Sequence, residues 1–283
     1  MDNRNRRAEM AQETLTILKA GRYPAPSGKM VSIGEDLEKA IQGTRLYRPS
    51  DFPDGLVFPP RFESQAAIEV TAESTLEAAH RLVWENPDRD PLCLNFASAK
   101  NPGGGFLSGS QAQEESLARS SGLYPCLLQQ EAMYTHNRRL KTCLYSDHMI
   151  YAPRVPVFRD HAGVLLERPY CASFLSVPAV NAGAVRRNEP KNVARIESVM
   201  RERMAKLLWV AREHGHDALI LGAWGCGVFG NDPALVARLF MELLAPGGPY
   251  AQQFRHVVFA IYDRTAGQTA LSAFRTKIPK AGG

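Results

Sequence analysis

Residues 91–116 read PLCLNFASAKNPGGGFLSGSQAQEES, and this stretch decides the fold of the chain. Leu92 to Phe96 is a short apolar run between a proline and a glycine-rich segment, which predicts a buried strand. Gly103 to Gly105 follow, and Gln113-Glu114-Glu115 falls in the predicted first turn of a helix that ends near Ser121. A strand, a glycine-rich loop and a helix in this order indicate an α/β sheet that presents loops at its strand ends.

The rest of the chain repeats the alternation of strands and helices. Further strand-like runs are Val31 to Ile33, Ala67 to Thr71, Met149 to Ala152, Ala172 to Val177, Ala218 to Leu221 and His256 to Ile261. Predicted helices are one opened by a Ser74/Glu77 capping box and running through Trp84, one from Asn192 to His214, and one from Asp232-Pro233 to Leu244. The pattern predicts three layers, α/β/α, around a mixed and mostly parallel sheet.

The amino terminus is expected to be a helical flank. Arg7 to Ala20 has helical spacing with a Gly21 stop, and YPAPSGKM has the composition of a short linker. We therefore divide the chain into a flank, residues 1–29, and one domain, residues 30–283, whose last residues, KAGG, are expected to fray.

Composition is typical of a globular protein with its own core: 283 residues, 45% hydrophobic and 22% charged. The net charge of +5 favours an anionic partner, although genome composition and surface solubility are the simpler explanation. Arg138-Arg139 and Arg186-Arg187 look like loop pairs. The five cysteines contain no C-x-x-C pair and are expected to be reduced.

No targeting or membrane segment is expected. The charged start MDNRNRRAEM lacks a following apolar region, and no window approaches 18 apolar residues. These features favour a cytoplasmic protein without a membrane partner.

A second loop follows another predicted strand and reads GAWGCGVFGND, residues 222–232. Its closely spaced glycines can form a nest of exposed amides around a diphosphate. It lacks the Lys of a P-loop, and its G-x-G-x-x-G spacing lacks the acidic residue of a dinucleotide site. Val228 and Phe229 suit either a ribose or base edge or core packing, and Cys226 suits packing better than nucleophilic attack.

Each loop alone has a plain structural explanation. Acids are common in the first turn of a helix, and a glycine triplet is usually a turn. Their joint occurrence at two strand ends favours a binding site.

The two loops together resemble a known family. Gly103 to Gly105, seven intervening residues and then Gln113-Glu114-Glu115 resemble the signature of poly(ADP-ribose) glycohydrolases, a glycine triplet followed six to eight residues later by QEE. The second loop is similar to the diphosphate-binding loop of the bacterial, macrodomain-based branch. The resemblance covers the chain from about Met30 to its end and implies a macrodomain-like fold.

The resemblance also implies roles for individual residues. Glu115 is the expected catalytic acid, and Glu114 and Asn101 are expected to hold the ribose above the glycine triplet. The ligand-binding residues that it implies are Ala97, Ser98, Asn101, Gly103, Gly104, Gly105, Gln113, Gly222, Gly225, Cys226, Gly227, Val228 and Phe229.

The implied activity is hydrolysis of ribose–ribose bonds from polymer ends, since the long regulatory region of animal enzymes is absent. Expected partners are poly(ADP-ribose), ADP-ribosylated proteins and the product ADP-ribose, in reversal of ADP-ribosylation such as that after DNA damage. We expect a monomer without cofactor or metal. His214 and His216, at a helix end, suit capping better than metal binding.

The chemistry asks for a protonated acid, because an alkoxide is a poor leaving group. Partial burial and a neighbouring negative Glu114 are expected to keep Glu115 protonated. Three alternatives stay open: an ADP-ribose reader, a hydrolase for single ADP-ribose groups, and a nucleotide-dependent transferase, which the missing phosphate-loop lysine disfavours.

Overall fold

The computed structural model describes residues 3–53, 55, 58–86 and 89–278. In these ranges the strands are β1 (Arg22–Pro24), β2 (Met30–Ser32), β3 (Arg45–Tyr47), β4 (Ala67–Thr71), β5 (Leu92–Phe96), β6 (Met149–Arg159), β7 (Leu165–Val177), β8 (Ala218–Leu221) and β9 (His256–Ala260). The helices are α1 (Asn3–Ala20), α2 (Gly34–Gly43), α3 (Thr75–Glu85), α4 (Gln113–Ser120), α5 (Leu123–Leu128), α6 (Glu131–Arg139), α7 (Ala182–Asn188), α8 (Ile196–Glu213), α9 (Pro233–Leu244) and α10 (Thr269–Lys277). Short 3-10 helices cover Pro49–Asp51, Phe106–Ser108 and Pro190–Arg195.

Seven of the described strands form one sheet in the order β3-β6-β7-β5-β8-β9-β4. The pairs β7–β5, β5–β8, β8–β9 and β9–β4 are parallel, whereas β6 runs antiparallel to both β7 and β3. The sheet is therefore mixed and mostly parallel, as the sequence predicts. The carboxyl ends of its parallel strands lie along one edge, where ligands bind in such sheets.

Side chains alternate between the two faces of this sheet and build a core on each. Leu92 and Leu94 of β5 pack with α8 and α9 on one face, while Cys93 packs with α3 and α5 on the other. The same alternation places Leu219 and Ile220 of β8 on opposite faces. Helices cover both faces, so the three-layer prediction is confirmed.

Two helices begin with the N-terminal caps that the sequence predicts. The Ser74 hydroxyl accepts from the Glu77 amide at 3.2 Å, and the Glu77 carboxylate accepts from the Ser74 amide at 2.7 Å. Asp232 accepts from the Ala234 amide at 3.0 Å, and Pro233 occupies the first helical position. Both caps are confirmed, because each depends on neighbouring residues alone.

The predicted linker YPAPSGKM is wrong as a linker, because part of it is a strand. Tyr23 of β1 pairs with Val31 of β2 across a tight turn. The Tyr23 side chain is fully buried against Phe158, and its hydroxyl donates to the Leu166 carbonyl at 2.7 Å. The buried Tyr23 side chain therefore fixes this segment, although its prolines and glycine suggest a loop.

Other differences concern segments that the sequence pattern covers only in part. β6 and β7 extend into a long hairpin beyond the predicted strands, and the predicted 192–214 helix begins as a 3-10 turn before α8. The arginine pairs expected in loops lie in the last turns of α6 and α7. Cations are favourable there because the carboxyl end of a helix carries partial negative charge.

The amino-terminal helix packs on the glycine-triplet segment. The Thr14 hydroxyl, fully buried, donates to the Arg119 carbonyl at 2.6 Å, and Arg7 Nε donates to the Gly109 carbonyl at 2.8 Å. α1 therefore supports the loop before α4. The division of the chain at residue 29 stays a prediction.

No helix in the described ranges combines the length and apolar character needed to cross a bilayer. All five cysteines are free thiols, with Cys93 and Cys126 buried and the other three half-buried.

Candidate active site

Both glycine-rich loops line one cavity of about 1320 Å³ at the carboxyl edge of the sheet. The glycine-triplet loop, residues 97–112, and the start of α4 form one wall, and the second loop forms another. The expected site residues that line the cavity are Ser98, Asn101, Gly104, Gly105, Gln113, Glu114, Glu115, Gly225, Cys226, Gly227, Val228 and Phe229. Ala97, Gly103 and Gly222 are absent from this lining. The cavity is large enough for a dinucleotide-sized ligand.

The backbone at Gly104 lies close to the carboxyl groups of Glu114 and Glu115. Its φ is +60°, a left-handed conformation that favours glycine, and a Cβ here would collide with the Glu115 carboxyl group. The same Cβ would lie 3.1 Å from Glu114 Oε2. Glycine is therefore required for the two carboxyl groups to reach the cavity.

Glu115 has one fixed oxygen and one free oxygen. Its Oε1 accepts from the Gly105 amide at 3.0 Å. Its Oε2 is buried and has no hydrogen-bond partner in the described part of the chain. Glu115 lines the cavity, and its Oε2 has hydrogen-bonding capacity that the described chain leaves unused.

Glu114 is the more deeply buried glutamate, with 3% of its surface exposed. Its Oε2 accepts from the Ser98 amide at 2.7 Å, and its Oε1 accepts from Asn95 Nδ2 at 3.4 Å. Burial raises the pKa of Glu114 to about 8, with the Glu115 charge adding to the rise. Burial therefore works against the expected negative charge on Glu114, because a buried site penalises the charged form of a carboxyl group.

The raised pKa of Glu114 predicts a pH-dependent stability. The folded chain holds this proton above the unfolded value of 4.5 up to about 8, so the contribution of Glu114 to folding is lost as pH rises through that window. We expect Glu114→Gln to gain stability relative to the parent chain from pH 5 to 8, by on the order of 1 kcal/mol per pH unit. Urea unfolding of both chains measures this difference; parallel pH curves would contradict it.

Gln113 ties α4 to strand β5. Its Oε1 accepts from the Phe96 amide at 2.8 Å, and its Nε2 donates to the Leu94 carbonyl at 2.7 Å and to Thr75 Oγ1 at 3.0 Å. The carboxamide is thus occupied by protein atoms. Its position fixes the first turn of α4, and hence both glutamates, against the end of the strand.

The second loop presents free amides to the cavity. The backbone amides of Gly227, Val228 and Phe229 have no hydrogen-bond acceptor within the described residues. Gly225 and Gly230, with φ values of +73° and +64°, turn the chain on either side of them. Consecutive amides in such a turn form a binding site for phosphate oxygens.

Buried side chains hold this loop in shape. Asn231 Nδ2 donates to the Val180 carbonyl at 2.7 Å and to the Gly225 carbonyl at 3.1 Å. Trp224, fully buried, donates from Nε1 to the Val177 carbonyl at 3.0 Å. The free amides are therefore preorganised for a ligand.

Comparison with known proteins identifies the family. The family model of the microbial-type PARG catalytic domain matches residues 11–160. The chain is 50% identical to the solved poly(ADP-ribose) glycohydrolase (PARG) of Thermomonospora curvata, with 97% of this chain and 100% of that one covered and a TM-score of 0.92. The chain belongs to the microbial-type PARG family. Its activity is hydrolysis of poly(ADP-ribose), and its fold is the macrodomain-like fold of these enzymes.

Two further solved structures contain ligands. One is the T. curvata PARG bound to the inhibitor ADP-HPD, which is 51% identical to this chain. The match covers 97% of this chain and 100% of the T. curvata chain, with a TM-score of 0.90. The other is the Deinococcus radiodurans PARG in complex with ADP-ribose, which is 46% identical to this chain. The match covers 86% of this chain and 97% of the D. radiodurans chain, with a TM-score of 0.79. No curated protein matches the chain.

Three expected residues of this PARG lie behind the cavity wall. Ala97 is fully buried, and Gly103 packs on Phe106 and Tyr124 beneath the triplet. A Cβ on Gly222 would meet the Ala260 carbonyl oxygen at 2.8 Å. These positions shape the backbone and do not line the cavity.

The apolar residues of the second loop differ in exposure. Val228 is 87% exposed, so it has no core-packing role. Phe229 packs partly on the core and partly on Tyr145, at 6.0 Å between ring centroids. Burial raises the pKa of the Cys226 thiol to about 12, which supports packing over nucleophilic attack.

Two polar residues of the PARG site were missed in the sequence. Asn95 donates from Nδ2 to Ser176 Oγ at 2.9 Å as well as to Glu114, and Asn231 holds the second loop. A polar residue in the apolar run LCLNF was the available signal for Asn95. Asn231 gave no comparable signal, because asparagine is common in loops.

Two segments that are far apart in the chain also line the cavity. His161, in the turn between β6 and β7, lies 3.4 Å from the Tyr262 hydroxyl through its Nε2, and both line the cavity. Asp263 also lines it, but its carboxylate accepts from Thr265 and from the amides of Ala270 and Leu271 at the start of α10. Asp263 thus serves the turn that the sequence favoured for it.

The two histidines at the end of α8 form hydrogen bonds with tyrosine hydroxyl groups. His214 is the carboxyl-terminal cap of α8, and its Nε2 lies 2.7 Å from the Tyr47 hydroxyl. His216 Nε2 lies 2.9 Å from the Tyr151 hydroxyl. Among the residues described, no group of three or more His, Cys, Asp or Glu side chains is placed to hold a metal ion.

Proposed function

We propose that Glu115 is the general acid and base of this PARG and that its free Oε2 faces the bond that is broken. The observation that carries this proposal is the asymmetric environment of the carboxyl group: Oε1 is fixed by the Gly105 amide, whereas Oε2 is buried without a partner in the described chain. A carboxyl group with one oxygen fixed by the protein and the other available to a bound ligand suits proton transfer to that ligand.

The reaction then proceeds in two proton transfers. Glu115 gives its proton to the ribose oxygen that leaves, and the bond from that oxygen to the anomeric carbon of the terminal ribose breaks. The ribose becomes oxocarbenium-like, and water attacks its anomeric carbon. The Glu115 carboxylate takes a proton from that water, which restores the acid and leaves ADP-ribose as the product.

The second loop binds the diphosphate of the terminal unit in this proposal. The free amides of Gly227, Val228 and Phe229 match phosphate oxygens, and the D. radiodurans relative is solved with ADP-ribose. The negative diphosphate also stabilises the developing cation on the ribose. Glu114 and Asn101 hold the ribose hydroxyl groups beside Glu115.

We attribute action from chain ends to the contact between His161 and Tyr262 in the cavity lining. His161 and Tyr262 are 101 residues apart in the chain, and both line the cavity, with 3.4 Å between His161 Nε2 and the Tyr262 hydroxyl. We infer that this contact closes the cavity beyond the terminal unit, so that a polymer that continues past this unit does not fit. Cleavage therefore releases single ADP-ribose units.

The test is incubation of the protein with poly(ADP-ribose) and separation of the products over time. We expect free ADP-ribose from the earliest time points while long chains shorten gradually. Early accumulation of intermediate oligomers would contradict release from chain ends, and binding of polymer without turnover would leave only a reader.

A further inference from the structure

We propose that the protein binds the leaving part of its polymer at a second subsite, the leaving-side shelf, formed by Lys100, Tyr145 and Arg187. The ligand class is a nucleoside diphosphate, with cations for the phosphates and an aromatic ring for the base. The inference rests on the proposed function, because it takes Glu115 as the point of cleavage.

The chemistry of the substrate requires space for this second unit. The oxygen that leaves belongs to the ribose of the next ADP-ribose unit, so an adenine and two phosphates lie just beyond the broken bond. Asn101 and Phe229 line the same cavity as Glu115, which holds the terminal unit in the proposed function. The shelf lies next to these two residues.

Arg187 lies beside the Phe229 end of the second loop. The Gly183 amide donates to the Phe229 carbonyl at 2.9 Å, and Arg187 Nη1 is 3.5 Å from the position that a Cβ on Gly183 would occupy. Arg187 is exposed in the last turn of α7. Its guanidinium group forms no hydrogen bond or ion pair with the residues that the structure describes.

Lys100 belongs to the glycine-triplet loop, which lines the cavity together with the second loop. It directly precedes Asn101, and its carbonyl accepts from Arg138 Nη1 at 2.7 Å, which holds the backbone in place. Lys100 and Arg187 both lie close enough to the Cys143 thiol to oppose the rise in the pKa of Cys143 that burial causes. Over residues 3–278, apart from the undescribed gaps, the Lys100 ammonium group likewise has no ion-pair partner.

The carboxylate that contacts Cys143 is already occupied by hydrogen bonds. Glu189 accepts from the Thr142 hydroxyl, from the Cys143 amide at 2.6 Å and from Asn192 Nδ2 at 2.7 Å. Because its oxygens are held by neutral donors, the two cations keep their charge available for an anionic ligand.

Tyr145 supplies the aromatic part of the shelf in a strained conformation. Its φ is +57°, which is unfavourable for a bulky side chain and is typical of functional positions. Arg203 Nη2 donates to the Tyr145 carbonyl at 3.2 Å, and the next amide, Ser146, donates to Asn137 Oδ1 at 2.9 Å. These bonds fix the backbone around Tyr145, whose half-buried ring packs on Phe229 and can stack on a base.

The test compares two substrates that differ only beyond the broken bond. Poly(ADP-ribose) carries a second nucleotide unit there, whereas the 4-nitrophenyl glycoside of ADP-ribose does not. For the Lys100→Ala/Arg187→Ala double variant we expect kcat/KM on the polymer to fall about tenfold at low salt. The loss should shrink at high salt, and kcat/KM on the aryl glycoside should be unchanged.

Arg168→Ala is the matched control, because Arg168 is an exposed arginine on β7 several residues before its active-site end. Tyr145→Leu should lower kcat/KM on the polymer alone in the same way. An unchanged polymer reaction, or equal losses on both substrates, would overturn the shelf. Retained turnover of both substrates by Glu115→Gln would instead overturn the proposed function.

Discussion

Glu115→Gln is expected to lower kcat on poly(ADP-ribose) by about 10²–10⁴-fold, the range for loss of a general acid. The amide keeps the shape of the side chain, and its oxygen can still accept from the Gly105 amide. It places an NH₂ group at the position of Oε2, which cannot protonate an alkoxide at neutral pH. The loss should therefore appear in kcat, with binding of ADP-ribose retained.

Steady-state kinetics and calorimetric titration with ADP-ribose separate these two effects. Glu38→Gln is a suitable control, because Glu38 is an exposed glutamate on α2. If Glu115→Gln kept its turnover, another residue would have to supply the proton. If it lost binding as well, Glu115 would be holding the ligand and not only reacting with it.

Gly104→Ala is expected to reduce kcat/KM by about 10²-fold, because small displacements of reacting groups carry penalties of this size. The added methyl group would collide with the Glu115 carboxyl group and crowd Glu114. It would also force alanine into a left-handed conformation at φ +60°. We expect the carboxyl groups to move out of position even where the fold is kept.

Gly28→Ala separates backbone strain from displacement of the glutamates. Gly28 has a φ of +82° in an exposed turn, and no atom of the described residues lies within 4 Å of an added Cβ. Thermal unfolding should record a small loss of stability in Gly28→Ala and a loss at least as large in Gly104→Ala, while kinetics should record a loss of activity in Gly104→Ala alone. Equal activity of the two variants would contradict the packing of Gly104 against the glutamates.

The parts of the site that could be predicted from the sequence are those fixed by neighbouring residues. Strand β5, the glycine triplet and the start of α4 form one continuous segment, so local pattern places them correctly. The convergence of the two loops follows from the rule that parallel strands end at one edge, and it is confirmed by the shared cavity.

The parts that could not be predicted depend on residues brought together by the fold. The charge of Glu114 depends on its burial among groups such as Asn95 and Ser98, which no local pattern specifies. The meeting of His161 and Tyr262 needs the length of the β6–β7 hairpin, whose outer half has no clear alternation in the sequence. The roles of the individual site residues stay predictions.

A crystal structure of the protein with ADP-ribose tests the central claim most directly. We expect diphosphate oxygens at hydrogen-bonding distance, roughly 2.7–3.2 Å, from the amides of residues 227–229. We also expect the anomeric hydroxyl of the terminal ribose next to Glu115 Oε2, above Gly104. A diphosphate bound away from the second loop, or a terminal ribose turned away from Glu115, would contradict the account.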